Sequence, residues 1–243
     1  MSDETCCPVV ELRQYTLVPD GREVLISLFE RHFIENQEAT GMIVIGQFRD
    51  LNNPDRFVWL RGFADMVSRA RQLEQFYGGP IWKEHREAAN ATMIDSDNVL
   101  LLRPASPTSG FQLEQARRAP IGSTTNREDL LVLTISHLGE TRGADFAAFF
   151  ERELQPRLTK AGVSVLASFV SETHPNNFPR LPVRENANVF VWFARFLDRK
   201  AYEKSAAAIG ESMREKETAG KLPALIVDQP EILVLSPTAR SLL

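Results

Sequence analysis

Cysteine is nearly absent from this chain of 243 residues: there are two, Cys6 and Cys7, side by side near the start. Adjacent cysteines staple nothing, because a disulfide between them would close a strained ring. Two ligands without nearby partners do not make a zinc site either. They read as tail residues, and no metal site is expected. Histidine is also scarce, with 4 in all. No Gly-rich phosphate loop, nucleophile elbow or His-Glu-x-x-His stretch occurs, so the motifs imply no cofactor. There is no basic block, and the net charge of -4 argues against nucleic acid. No apolar run approaches the roughly 20 residues that a membrane helix needs, so no membrane partner is expected. Met1 to Pro8 has neither a basic start nor an apolar core. It does not read as a secretory signal, and the expected location is the cytoplasm.

What the chain does have is a pattern said twice. Phe29-Glu30-Arg31 recurs as Phe150-Glu151-Arg152, and Gly41 and Phe48 recur at the same offset of 121 as Gly162 and Phe169. Val58-Trp59-Leu60 recurs at an offset of 133 as Val191-Trp192-Phe193, and Val99 to Pro104 recurs as Ile232 to Pro237. One insertion of 12 residues between Phe169 and Val191 reconciles the two registers. The reading is a duplicated domain of roughly 100 residues: repeat 1 over 9–104, a linker over 105–129 and a degenerate repeat 2 over 130–237.

Each repeat reads β-α-β-β-α(α)-β. Val9 to Leu17 alternates as a strand. Arg22 to Thr40 carries Leu25, Leu28, Phe29 and Phe33 at helical spacing, and Gly41 suits the left-handed stop. Met42 to Asp50 and Arg56 to Phe63 form a hairpin. Asp65 caps a helix to Tyr77, Pro80 opens another to about Ala91, and Asn98 to Arg103 closes the unit. Repeat 2 runs Leu130 to Leu138, Gly143 to Ala161, Val163 to Thr173, Asn188 to Phe196, Asp198 to Ala219 and Glu231 to Leu235. The fold class expected is α+β: two tandem ferredoxin-like domains, each an antiparallel sheet with helices on one face. The open sheet faces are too apolar to stay wet. They should close on each other, within one chain as a pseudo-dimer or between chains in a homodimer. The insertion, His174 to Asn186, reads as a surface excursion. The linker reads as a segment wrapped across one repeat.

Strand parity places Glu11, Arg13 and Tyr15 on one face, and Phe57, Trp59, Arg61 and Phe63 on another. Gln47 and Arg49 share one with Ile43 and Ile45. Repeat 2 has shed most of this polarity. Glu11, Arg13 and Tyr15 become Val132, Thr134 and Ser136, and Arg61 becomes Ala194. Gln47 and Arg49 become Ser168 and Val170; Tyr77 becomes Gly210; Trp82, His85 and Arg86 become Glu215, Thr218 and Ala219. Trp59 keeps its ring, as Trp192. Buried charge costs several kcal/mol unless paired, so repeat 1 retains a cost that repeat 2 has lost. A structural ion-pair ladder explains this as well as a ligand site does.

Several stretches carry a family resemblance: Glu11-Leu12-Arg13-Gln14-Tyr15, Gln47 to Asp50, Asp55 to Phe63 and, above all, Phe76-Tyr77-Gly78-Gly79-Pro80-Ile81-Trp82-Lys83-Glu84-His85-Arg86. Repeat 1 resembles the NIPSNAP family across nearly its whole length, while repeat 2 resembles it only in its apolar skeleton. The resemblance implies a dimeric α/β-barrel fold, a group that includes cofactor-free monooxygenases and haem-degrading enzymes. The expected site is a small-molecule pocket between sheet and helices in repeat 1. Arg13, Arg49 and Arg61 would hold an anion there, with Gln47 and Arg86 nearby. Tyr15, Trp59, Tyr77 and Trp82 would pack a flat ligand, and His85 would be the acid or base. The rivals are a non-enzymatic scaffold and a haem site with His85 as axial ligand.

Overall fold

Alternating residues in eight segments send one side chain inward and the next outward, and in the computed structural model these segments close into a single antiparallel barrel. Residues 5–125, 127–213 and 225–243 are described. The first half holds β1 (Val9–Leu17), α1 (Gly21–Leu28), α2 (Ile34–Glu38), β2 (Ile43–Asp50), β3 (Arg56–Phe63), α3 (Met66–Gly78), α4 (Pro80–Asn90) and β4 (Met93–Pro104). The second holds β5 (Leu130–His137), α5 (Gly143–Phe149), α6 (Gln155–Lys160), β6 (Ser164–Ser171), β7 (Val189–Phe196), α7 (Arg199–Met213) and β8 (Glu231–Pro237). A π-helical turn joins α1 to α2 at Phe29–Phe33, and another joins α5 to α6 at Phe150–Leu154. The class is α+β, with an antiparallel sheet and helices packed on its outside.

The strands run β1-β3-β2-β8-β5-β7-β6-β4 around the barrel and back to β1. Within each half the register is the same. Glu11 faces Arg61 and Arg13 faces Trp59 across β1 and β3; Val132 faces Ala194 and Thr134 faces Trp192 across β5 and β7. The halves meet at two short seams, Phe48 to Asp50 on β8 and Leu102 to Pro104 on β6. One chain therefore buries both inner sheet faces by itself. Val10, Leu12, Phe48, Leu60, Leu133, Phe169, Phe193 and Leu235 meet in the barrel interior. Two further apolar layers lie outside, between sheet and helices, one per half.

Several expectations need correction. Cys6 and Cys7 are joined to each other, and Cys7 is buried in the barrel interior against Gly62 rather than lying in a free tail. A side chain at position 62 would collide with it. The linker spans both halves rather than wrapping across one: Phe111 enters the barrel core 5.1 Å from Phe169 and 5.0 Å from Phe193. Arg118 straps it to Glu38 and the Val44 carbonyl, each at 2.6 Å. The insertion is no excursion. It leaves the second half, bonds along β4 through Glu172 N to Leu101 O and Arg184 N to Val99 O, each at 2.8 Å, and buries Phe178 in the outer core of the first half. Asp198 to Ala219 is described as helix to Met213; Glu215, Thr218 and Ala219 lie outside the described residues. Among the described residues no helix is long and apolar enough to cross a membrane.

Candidate functional site

β1, β3 and α3 bring four charged side chains together under the helices of the first half. Glu11, Arg13, Arg61 and Arg69 are each no more than 1% exposed. One oxygen of Glu11, Oε2, accepts from Arg13 Nη1 at 2.8 Å and Arg61 Nε at 2.7 Å; the other, Oε1, accepts from Arg69 Nε at 2.7 Å. Arg61 Nη1 donates onward to Gln37 Oε1 at 3.0 Å and Tyr77 Oη at 3.3 Å. Arg13 Nε donates to Tyr15 Oη at 2.9 Å. Arg69 Nη1 reaches the insertion, donating to Asn176 Oδ1 at 3.0 Å and Asn177 Oδ1 at 2.8 Å. The Trp59 ring lies 5.0 Å from the Arg61 guanidinium and 5.6 Å from that of Arg13, within cation–π range.

Burial alone would push the Glu11 carboxyl up, but Arg61, Arg13 and Arg69 together hold it well below the usual carboxylate range. Burial raises the Tyr15 hydroxyl. It also lowers Arg69, against the pull of Glu11. Three guanidiniums share one carboxylate, so the enclosure carries two surplus positive charges. Its donors are also not all used. Arg61 Nη2 and Arg69 Nη2 each lie 2.7 Å from a Glu11 oxygen without the alignment of a hydrogen bond, and the buried Trp59 Nε1 beside them has no partner.

The other expected residues fall elsewhere. A bulge between Val44 and Gly46 shifts the phase of β2. Ile43 and Ile45 therefore pack with the barrel interior, whereas Arg49 reaches outward to Glu23 on α1 in a bidentate pair at 2.6 and 2.7 Å. The expected sharing of one face fails for that reason. Gln47 is buried, but against the C-terminal segment, where its backbone meets Thr238 and Ser241. Arg86 is exposed on α4. Trp82 packs on Phe33, Phe76 and Tyr77 at 5.6, 5.9 and 4.8 Å, so Tyr77 alone links it to the arginines. His85 is 21% exposed and stacks on His32 at 3.9 Å. Burial and the neighbouring His85 push His32 below its ordinary value. In place of an open pocket, the space between sheet and helices in this half is packed with the charged cluster and its aromatic neighbours.

Sequence reading missed Arg69, Gln37, Asn176 and Asn177. Arg69 had a signal. It stands with Leu73 and Phe76 at i, i+4 and i+7, a charge inside the apolar stripe of α3. The asparagines had none, because their contact spans more than a hundred residues.

Comparison with known proteins points the same way for the fold. A candidate monooxygenase from Lactobacillus acidophilus NCFM superposes with a TM-score of 0.56 at 11% identity, covering 97% of this chain and 98% of that one. An anthrone oxidase-like protein gives 0.54 at 13%, covering 97% and 94%. A single-residue variant of chlorite dismutase from Candidatus Nitrospira defluvii gives 0.50 at 14%, covering 96% and 92%. These likenesses show a barrel of the dimeric α/β-barrel type, closed here within one chain. No curated protein matches the sequence. The family model named NIPSNAP matches residues 10–108, the stretch that supplies Glu11, Arg13, Arg61 and Arg69; over those residues this chain matches the NIPSNAP domain.

Proposed function

We propose that this protein binds a small organic anion at the buried arginine cluster of its first half. The carrying observation is the mismatch of three guanidiniums to one carboxylate among side chains no more than 1% exposed. Buried charges are ordinarily matched, and a dianion supplies what is missing. Arg61 Nη2 and Arg69 Nη2, ion-paired with Glu11 but not aligned for a hydrogen bond, and the unpartnered Trp59 Nε1 are the donors suited to a ligand carboxylate. Tyr15, Trp59 and Tyr77 supply flat apolar walls. Asn176 and Asn177 currently offer amide oxygens to Arg69. A ligand carboxylate would take their place, so entry runs beneath the insertion. In this reading the chain is a cytoplasmic protein of two ferredoxin-like units, 9–104 and 130–237, of which the first has kept the site.

Catalysis is not part of the reading. The fold likeness to a candidate monooxygenase and an anthrone oxidase-like protein is compatible with a flat organic ligand. His85, however, lies at the surface against His32, apart from the arginines. The same position does not fit a haem: the ring is stacked against His32, and Glu84 lies 3.9 Å from its Nε2. The rival reading, a closed structural network in an interaction scaffold, draws on the saturation of both Glu11 oxygens by arginine.

Phthalate and succinate separate the two. Phthalate at millimolar concentration is expected to raise the melting temperature by several degrees, and succinate by less, for want of a ring. Arg61→Met should abolish both shifts, while Ala194→Val in the second half leaves them intact. If Arg61→Met itself raises the melting temperature and neither dianion shifts the wild type, the cluster is a scaffold element that apolar replacement improves.

A further inference from the structure

The second half repeats the strand register of the first but not its filling. Val132 opposite Ala194 stands where Glu11 faces Arg61, and Thr134 opposite Trp192 stands where Arg13 faces Trp59. Ser136 occupies the place of Tyr15. Four long side chains are thus replaced by short ones, while α5, α6 and the π turn still stand over the sheet. The result is a cavity of about 380 Å³ between sheet and helices, bordered by Val132, Thr134, Ser136, Phe150, Trp192 and Tyr202 among others. It opens beside Ile232, which is 52% exposed. Protein interiors pack as densely as organic crystals and leave few voids larger than a water molecule. A space of this size falls in the range of small-molecule sites.

The chemistry of the walls is specific. Among the described residues no charged side chain borders the cavity, in contrast to the cluster at the matching place in the first half. Its sides are rings: Phe150 lies 5.9 Å from Trp192, and Phe196 stands edge-on to Tyr202 at 5.4 Å. On the floor, Thr134 and Ser136 line the cavity with their hydroxyl-bearing side chains, and the residues are 7% and 5% exposed. Two hydroxyls on the floor of an apolar chamber can anchor a polar atom.

We propose that the second half carries a separate binding site for an uncharged molecule of a few fused rings bearing one hydroxyl or carbonyl group. The rings stack on Trp192 and Phe150, and the polar atom meets Thr134 and Ser136. The duplicated fold then holds two sites of opposite character, one for negative charge and one that excludes it. This inference stands on the cavity alone and does not depend on the arginine cluster.

The test uses the full-length protein with naphthalene and naphthol, both uncharged at neutral pH, read by quenching of tryptophan emission. Both should bind, naphthol several-fold more tightly. Val132→Phe, which fills the chamber, should weaken both at least tenfold. Thr134→Val with Ser136→Ala keeps the volume and the fold, and should erase the preference for naphthol while leaving naphthalene affinity within twofold. Affinity unchanged by Val132→Phe, or no binding by the wild type, would show a structural void and overturn the proposal. If Val132→Phe does not fold, the hydroxyl-free variant decides alone: a preference for naphthol that persists in it overturns the assignment.

Discussion

Glu11→Gln is expected to cost roughly 3–5 kcal/mol of stability, the range for breaking a buried ion pair from one side. The change keeps the shape of the side chain and removes the single negative charge on which Arg13, Arg61 and Arg69 converge. Urea unfolding at neutral pH measures it. Glu11→Gln with Arg61→Met should recover part of the loss, since one of the stranded positive charges goes with it; recovery of nothing would show that the two residues act independently. The pH dependence follows from the lowered Glu11 carboxyl. A group depressed in the folded state stabilises above its unfolded value, near 4.5, and that contribution is lost as pH falls toward the folded value. The wild type should therefore lose its advantage over Glu11→Gln progressively below about pH 4.5. A stability gap that is constant from pH 7 to pH 3 would mean that Glu11 is not held ionised by the arginines.

Phe178→Ala is the second large effect. Truncating a buried phenylalanine costs roughly 3–5 kcal/mol, and Phe178 is 5% exposed and stacked on Tyr77 at 6.1 Å. The location of the damage is the informative part. Phe178 belongs by sequence to the second half, yet its contacts lie in the first. Amide hydrogen exchange should rise in α3, where Arg69 and Met66 are held by Asn176 and Asn177, and stay near wild type in α5 and α6. Loss of protection spread evenly over both halves would mean that the insertion is not a local clamp.

These two residues mark the boundary of what was legible in the chain. Glu11 and Arg61 were readable because alternation puts them on strand faces, and their absence from the second half isolated them. β1 and β3 fall on the residues expected, and Asp65 caps α3 through Ser68 N at 2.6 Å. Gly41 takes the left-handed conformation expected of a helix stop, with φ of 99°. Two of the failures share a cause, which is a local departure from strict period. The bulge in β2 reverses the faces of Ile45 and Arg49. The π turn at Phe29–Phe33 has no mark in composition. Its effect is nonetheless physical: steps of four residues drift by about 40° in a regular α-helix. A wider turn takes up that drift and keeps Phe29, Phe33 and Gln37 facing the sheet. Phe178 was beyond reach for another reason. Nothing in a loop of prolines and asparagines says which distant surface it will cover.

That crossing imposes an order on the birth of the protein. Glu11 and its three arginines have all been synthesised once residue 69 is made, but the amides that complete Arg69 follow 107 residues later. At translation speeds of about 5–20 residues per second the interval is about 5–20 s, far longer than the collapse of a short chain. During it the nascent first half has a charged interior without its cover, and the edges of β2 and, once made, β4 stay bare until β8 and β6 follow. Two such nascent halves on neighbouring ribosomes present each other with the same unpaired edges. Delay at this stage, by slow codons or by truncation, favours pairing between chains over the closure of one.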